Sequence, residues 1–170
     1  MDDSVCRAAL NIAMTQWTIV SFQDSKLSPW VNAGLDHYLK KMQHWVQLRH
    51  ITISPTGGRD ENFAKQQDWR KFLNQKSLQG HTIVLCDARG PDRQSMQFAA
   101  HVQKWVDLRP GVCFIIGPTY GLDRQWVANA HECIKLSSLI FTHELAQLVL
   151  AEQLYRGLTI SAGIPYHHEG

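Results

Sequence analysis

The sequence predicts an α/β fold: a single domain on a mostly parallel sheet with helices on both faces. Apolar runs of strand length alternate with helix-length amphipathic stretches, the pattern of strand-helix-strand units. Two polar loops, Gly117-Pro-Thr-Tyr-Gly121 and Leu136-Ser-Ser-Leu-Ile-Phe-Thr142, each leave an apolar strand and enter a helix. Loops of that kind form the ligand crevice of open α/β sheets. At 170 residues, with no internal repeat or low-complexity linker, the chain has the length for one sizeable core.

Thr18-Ile-Val-Ser-Phe22 reads as the first strand. Ser28-Pro29 opens a helix, with Ser as N-cap and Pro at the first helical position. That helix runs to about Met42 and offers Trp30, Leu35, Tyr38 and Leu39 for burial. Leu48 to Ser54 alternates as a strand, Pro55-Thr-Gly-Gly58 breaks it, and a polar helix follows to about Leu78. His81 to Cys86 is a buried strand, followed by the loop Asp87-Ala-Arg-Gly-Pro91 and a helix from Asp92 or Arg93 to Leu108. After the Val112 to Ile116 strand come a helix from Asp123, a short strand near Ile134 to Leu136, and a long helix from Thr142. The tail is Pro165-Tyr-His-His-Glu-Gly170.

Hydrophobic content of 44% and charged content of 19% are ordinary for a globular domain. No apolar run approaches the length of a membrane helix. The opening Met1-Asp-Asp-Ser-Val is acidic, where a secretory signal would begin basic. Residues 1–13 therefore read as a poorly ordered extension and 14–170 as the domain. Cys6, Cys86, Cys113 and Cys133 form no C-x-x-C pair, which argues against a zinc or redox motif. Reduced thiols and a cytoplasmic location are expected, with no metal and no membrane.

Net charge is only +2 but unevenly spread. From Tyr38 to Lys76 eight cations (Lys40, Lys41, Arg49, Arg59, Lys65, Arg70, Lys71, Lys76) stand against three anions, Asp60, Glu61 and Asp68. Such a surface suits phosphate, with Lys40, Lys41, Arg70 and Lys71 as RNA-contact candidates; a solvated pair of helix faces accounts for the same charges.

The glycine loop permits close backbone approach to a ligand, or is a strand-to-helix turn that needs glycine. In the 136–142 loop, peptide edges could read a base while Leu136, Leu139 and Phe141 cover its faces. Thr142 doubles as a helix N-cap. His143, in a first helical turn, is expected neutral and is either structural or an RNA contact. Glu152 and Arg156 are spaced i,i+4 in the favourable order, so Arg156 reads as structural or as an RNA or interface contact.

In the glycine loop, the 136–143 segment, Glu152-Gln-Leu-Tyr-Arg156 and Tyr166-His167, the chain resembles the SPOUT-class methyltransferases with a deep C-terminal trefoil knot. The likeness is in particular to the family that methylates N3 of a pseudouridine in helix 69 of bacterial 23S ribosomal RNA (large subunit methyltransferase H type). The resemblance runs from about Thr15 to Glu169. It implies S-adenosyl-L-methionine as cofactor, a homodimer, and action on the assembled ribosome. It places the cofactor against Leu85, Cys86, Gly117, Pro118, Gly121 and the segment Leu136, Ser137, Ser138, Leu139, Ile140, Phe141 and Thr142. It sends the tail into the partner subunit's pocket, with Tyr166 stacking on the target base and His167 or His168 as proton acceptor.

Three positions depart from the family pattern. Pro118 stands for a second glycine and offers no N–H, Gln147 stands for an arginine, and His168 makes a permanent charge pH-dependent. Two alternatives fit the same residues: a catalytically impaired relative that binds RNA or ribosomes, and a methyltransferase of the same class acting on another RNA such as transfer RNA.

Overall fold

The computed structural model describes residues 14–166. Five strands and five helices alternate: β1 (Gln16–Phe22), α1 (Pro29–Met42), β2 (Gln47–Ile53), α2 (Glu61–Leu73), β3 (Thr82–Cys86), α3 (Ser95–Val106), β4 (Gly111–Ile116), α4 (Arg124–Asn129), β5 (Glu132–Ile134) and α5 (His143–Ser161). The sheet order is β2-β1-β4-β3-β5 and every pairing is parallel. No described helix is long and apolar enough to cross a membrane.

Parallel sheets need cover on both faces, and strand alternation sorts the residues accordingly. Trp17, Ile19, Val84, Val112, Phe114 and Ile116 face α1, α3 and α5. Val20, Phe22, Leu85, Cys113 and Ile115 face α2 and α4. On the second face Trp126 packs edge-on against Phe22 (5.5 Å between centroids) and Trp69 (4.7 Å). α5 lies between α1 and α3 at the middle of the first face, where Leu150, Ala151, Leu154 and Leu158 are buried.

The elements match the expected order, with local corrections. Trp30 is 56% exposed; α1 buries the expected Leu35 together with Val31 and Met42, and the expected Tyr38 and Leu39 pack half-buried against the same core. Ser28 does not cap α1 with its side chain; its N–H and Oγ donate to Glu144 of α5 at 2.5 and 2.8 Å. α2 stops at Leu73, and Leu78 is buried from a separate 3₁₀ turn, Lys76–Leu78. α3 begins at Ser95 behind a Gln94–Gln97 capping box. β5 ends at Ile134 because its partner β3 ends opposite, at Cys86; the Asp87 N–H then takes the Ile134 carbonyl at 2.9 Å. Leu136 therefore belongs to the loop.

The β1–β4 pairing begins with Gln16 opposite Gly111. A Cβ at Gly111 would lie 1.7 Å from the Gln16 carbonyl oxygen, so only glycine fits without moving a central strand. Gly111→Ala is expected to cost about 3 kcal/mol in urea unfolding; an unchanged midpoint would contradict this register.

Candidate functional site

Parallel strands put their carboxyl ends on one edge, and there the chain opens a crevice of about 910 Å³. Its walls come from the strand ends Phe22, Cys86 and Ile116, the loops that follow them, and the 136–142 segment leading into α5.

The glycine loop is a tight turn in which the Gly121 N–H donates to the Pro118 carbonyl at 2.8 Å, with Gly121 at φ +76°. Pro118 is buried and contributes its oxygen, so the turn itself does not need the N–H that proline lacks. Beside it, Arg89 grips both Asp87 carboxylate oxygens (2.8 and 2.7 Å) and donates to the Leu122 carbonyl at 3.2 Å. That guanidinium holds the Asp87 carboxyl below its ordinary pKa. Asp92 in turn pairs with Lys135 at 2.9 Å and accepts from Ser138 Oγ at 3.4 Å, tying the 87–93 loop to the 136–142 loop.

The 136–142 loop leaves Leu139 76% and Ile140 99% exposed at the crevice. Thr142 Oγ1 accepts from the Leu145 N–H at 3.3 Å and starts α5. His143 follows and lines the crevice; burial pushes its imidazole pKa down, while a hydrogen bond to the Phe22 carbonyl opposes that in part. The neutral ring expected of a helix N-terminus is what burial produces. Gln147, one turn on, is fully buried and donates to Gln23 Oε1 (2.7 Å) and to the His143 carbonyl (3.1 Å). It fastens α5 to the loop after β1 and presents no surface charge.

Most expected cofactor residues meet here: Cys86, Gly117, Pro118, Gly121 and the whole Leu136 to Thr142 run. Leu85 does not. Strand alternation turns it into the core against α2 and α4, and Cys86 takes the wall, its thiol pushed up by burial. Sequence reasoning missed Gln23, Asp24 and Ser25 after β1, and Glu144 on α5, all of which line the crevice. The signal for the first three was available: β1 ends on the same edge as the other strands.

The expected single basic face is corrected. α1 covers one side of the sheet and α2 the other, so Lys40 and Lys41 stand opposite Arg70 and Lys71. Lys41 lies over the Tyr155 ring (5.1 Å), and Lys71 donates to the Ser54 carbonyl at 2.7 Å. Arg156 binds Glu152 at 2.5 Å and stacks on Tyr166 (4.9 Å). Tyr166 also donates to Glu152 at 3.2 Å and packs edge-on against Tyr155. Glu152 is nine residues beyond His143, roughly 13 Å down the helix, so the chain's own Tyr166 is not part of its crevice. His167 and His168 lie outside the described residues.

The family model described as predicted SPOUT methyltransferase matches residues 15–167. This chain belongs to that family. Proteins named ribosomal RNA large subunit methyltransferase H are its relatives. The one from Bacteroides fragilis is 32% identical over 80% of this chain and 88% of its own length. Those from Variovorax paradoxus (32%; 85% and 94%) and Thermotoga neapolitana (31%; 84% and 94%) are similar. S-adenosylmethionine is the methyl donor that goes with a SPOUT methyltransferase, and the crevice fits it. Among the described residues its lining holds three carboxylates (Asp24, Asp87, Glu144) and no Lys or Arg, which suits a sulfonium cation. The uncovered Leu139 and Ile140 suit the faces of an adenine.

Burial lowers the pKa of His143 and also of His50, which sits on edge strand β2 3.1 Å from Ser21 Oγ. For both, the unfolded chain binds protons that the native state refuses as pH falls through 6.5, so stability rises with pH there. Urea unfolding should show stability present above pH 6.5 and falling toward pH 5; His143→Gln with His50→Gln should flatten that slope.

Proposed function

We propose that this chain is an S-adenosylmethionine-dependent methyltransferase that methylates N3 of a pseudouridine in 23S ribosomal RNA, in helix 69 of the assembled ribosome. The observation that carries the reading is the crevice in which the loops after β1, β3, β4 and β5 converge, acid-lined and without Lys or Arg among the described residues. Relatives whose names state methylation of large-subunit ribosomal RNA, matched over most of both chains, support the substrate class. A cytoplasmic homodimer is part of this proposal, as is a C-terminal knot. The knot is supported by the return of the chain from edge strand β5 to a helix packed at the sheet's centre.

Bound S-adenosylmethionine supplies an electrophilic methyl group carried on a sulfonium. The chain's residues do the rest. Leu139 and Ile140 close over apolar surface and exclude water, and the peptide groups of 136–142 orient the adenine edge. Asp24 and Glu144 keep the crevice acidic beside the Arg89-paired Asp87, and a neutral His143 adds no opposing charge. The N3 proton of the target base must go to an acceptor; His167 or His168 of a partner subunit's tail fills that role, with Tyr166 stacking on the base. To reach a partner, Tyr166 exchanges its Glu152, Tyr155 and Arg156 contacts for those of the second subunit.

Calorimetric titration with S-adenosylhomocysteine should give saturable binding at about one site per subunit. No heat at millimolar ligand, with ribosomes present or absent, would favour the impaired RNA-binding relative. Methyl transfer should appear on intact ribosomes and not on transfer RNA, and His167→Ala with unchanged turnover would remove that residue as proton acceptor.

Because the cations divide between two faces, only one pair should dock. Neutralising Lys40 and Lys41, or separately Arg70 and Lys71, is expected to reduce the logarithmic salt slope of ribosome binding by about 1.5–2 for the docking pair. The other pair should leave it unchanged, and no change for either would exclude both faces.

A further inference from the structure

We propose that Asp68 of α2 is a positioning residue for the glycine loop, acting through the hydroxyl of Tyr120. The inference rests on the reading of the crevice as the S-adenosylmethionine site and deepens it. Gly117, Pro118, Thr119 and Gly121 line the crevice; Tyr120, between them, does not. Its side chain leaves the loop and donates its hydroxyl to Asp68 Oδ2 on the far helix. Burial and the adjacent carboxylate push the Tyr120 pKa up to about 12, so the phenol stays protonated and a donor at physiological pH.

Asp68 is fully buried, unusual for a carboxylate on an otherwise polar helix. Its Oδ1 accepts from the Thr56 N–H and Oγ1, both at 2.7 Å, and lies 3.5 Å from Lys71 Nζ. The same carboxylate thus fixes the 54–58 loop, whose Pro55 lines the crevice, and the glycine loop beside it. Apart from the Arg89 bond to the Leu122 carbonyl and the burial of Pro118, the glycine loop has few anchors among the described residues. Position 118 has no N–H, Gly121 has no side chain, and the internal bond Gly121 N–H to Pro118 carbonyl sets the turn without tethering it. Removing the Tyr120 tether releases the turn that the cofactor must meet, so ordering it becomes a cost of binding. Asp68 keeps Thr56 and Lys71 when the phenol is lost, so the fold survives the change.

The test is calorimetric titration of the full chain with S-adenosylhomocysteine, with melting temperature followed in parallel. Tyr120→Phe is expected to weaken binding roughly five- to twentyfold while melting within a few degrees of wild type. Asp68→Asn should weaken it similarly, and the double variant no more than the worse single one, because both remove one link. In turnover on ribosomes, Tyr120→Phe should raise the KM for S-adenosylmethionine and spare kcat. A purely structural role predicts lower melting temperature with unchanged affinity, and that result overturns the proposal. Unchanged affinity in Tyr120→Phe overturns it even if Asp68→Asn fails to fold. If the wild type binds no S-adenosylhomocysteine, the reading of the crevice falls and this inference falls with it; if the wild type binds and Tyr120→Phe binds equally, this inference alone falls.

Discussion

Every residue of β4 is buried, and its neighbours β1 and β3 both run parallel to it. The rest of the molecule depends on that constraint. Parallel neighbours cannot be joined by tight hairpins, so each connection crosses a face of the sheet as a helix. All strands then deliver their carboxyl ends to one edge, and every loop leaving a strand arrives at the same place. The crevice follows from strand direction; its chemistry comes from what those loops carry.

What the loops carry is held by charge as much as by packing. Arg89 ties the loop after β3 to the loop after β4, Asp92 ties it to the segment after β5, and Asp68 reaches the glycine loop from α2. Among the described residues the charged side chains lining the crevice are all acidic, while Arg89 and Lys135 beside it bind backbone or carboxylates. This division lets a crevice of negative lining exist in a chain of net charge +2. Gln147 illustrates the same economy of charge. A buried arginine there would need an anion, whereas the amide satisfies Gln23 and the His143 carbonyl while remaining neutral.

The helix α5 joins the crevice to the ion pair that holds Tyr166. Its first turn shapes the crevice through His143 and Glu144, and its middle carries the Glu152–Arg156 pair on which Tyr166 rests. Glu144 also binds Ser28, so the start of α1 is set by the same turn that borders the crevice. A change at the start of α5 is therefore felt in the loop after β1 as well as in the loop after β5.

Much was legible without coordinates because it is local. Strand and helix order followed from apolar period, Thr142 announced its helix as an N-cap, and the two candidate loops stood out because polar residues followed apolar strands. The motifs of the last third of the chain sufficed to indicate the family. Other features were decided only when distant segments met. Alternation within β3, together with the placement of helices on each face, sent Leu85 inward and left Cys86 at the wall. The crossing of α1 and α2 to opposite faces split a run of cations that looks continuous in sequence. The Tyr120–Asp68 contact joins residues 52 positions apart, and no local pattern encodes it. Sequence by itself determined which segments form elements and that the loops after β4 and β5 border the crevice, because periodicity and capping act within a few residues. Tertiary structure alone decided which side chains face the crevice and which charges share a surface, because both depend on how the sheet is ordered and covered.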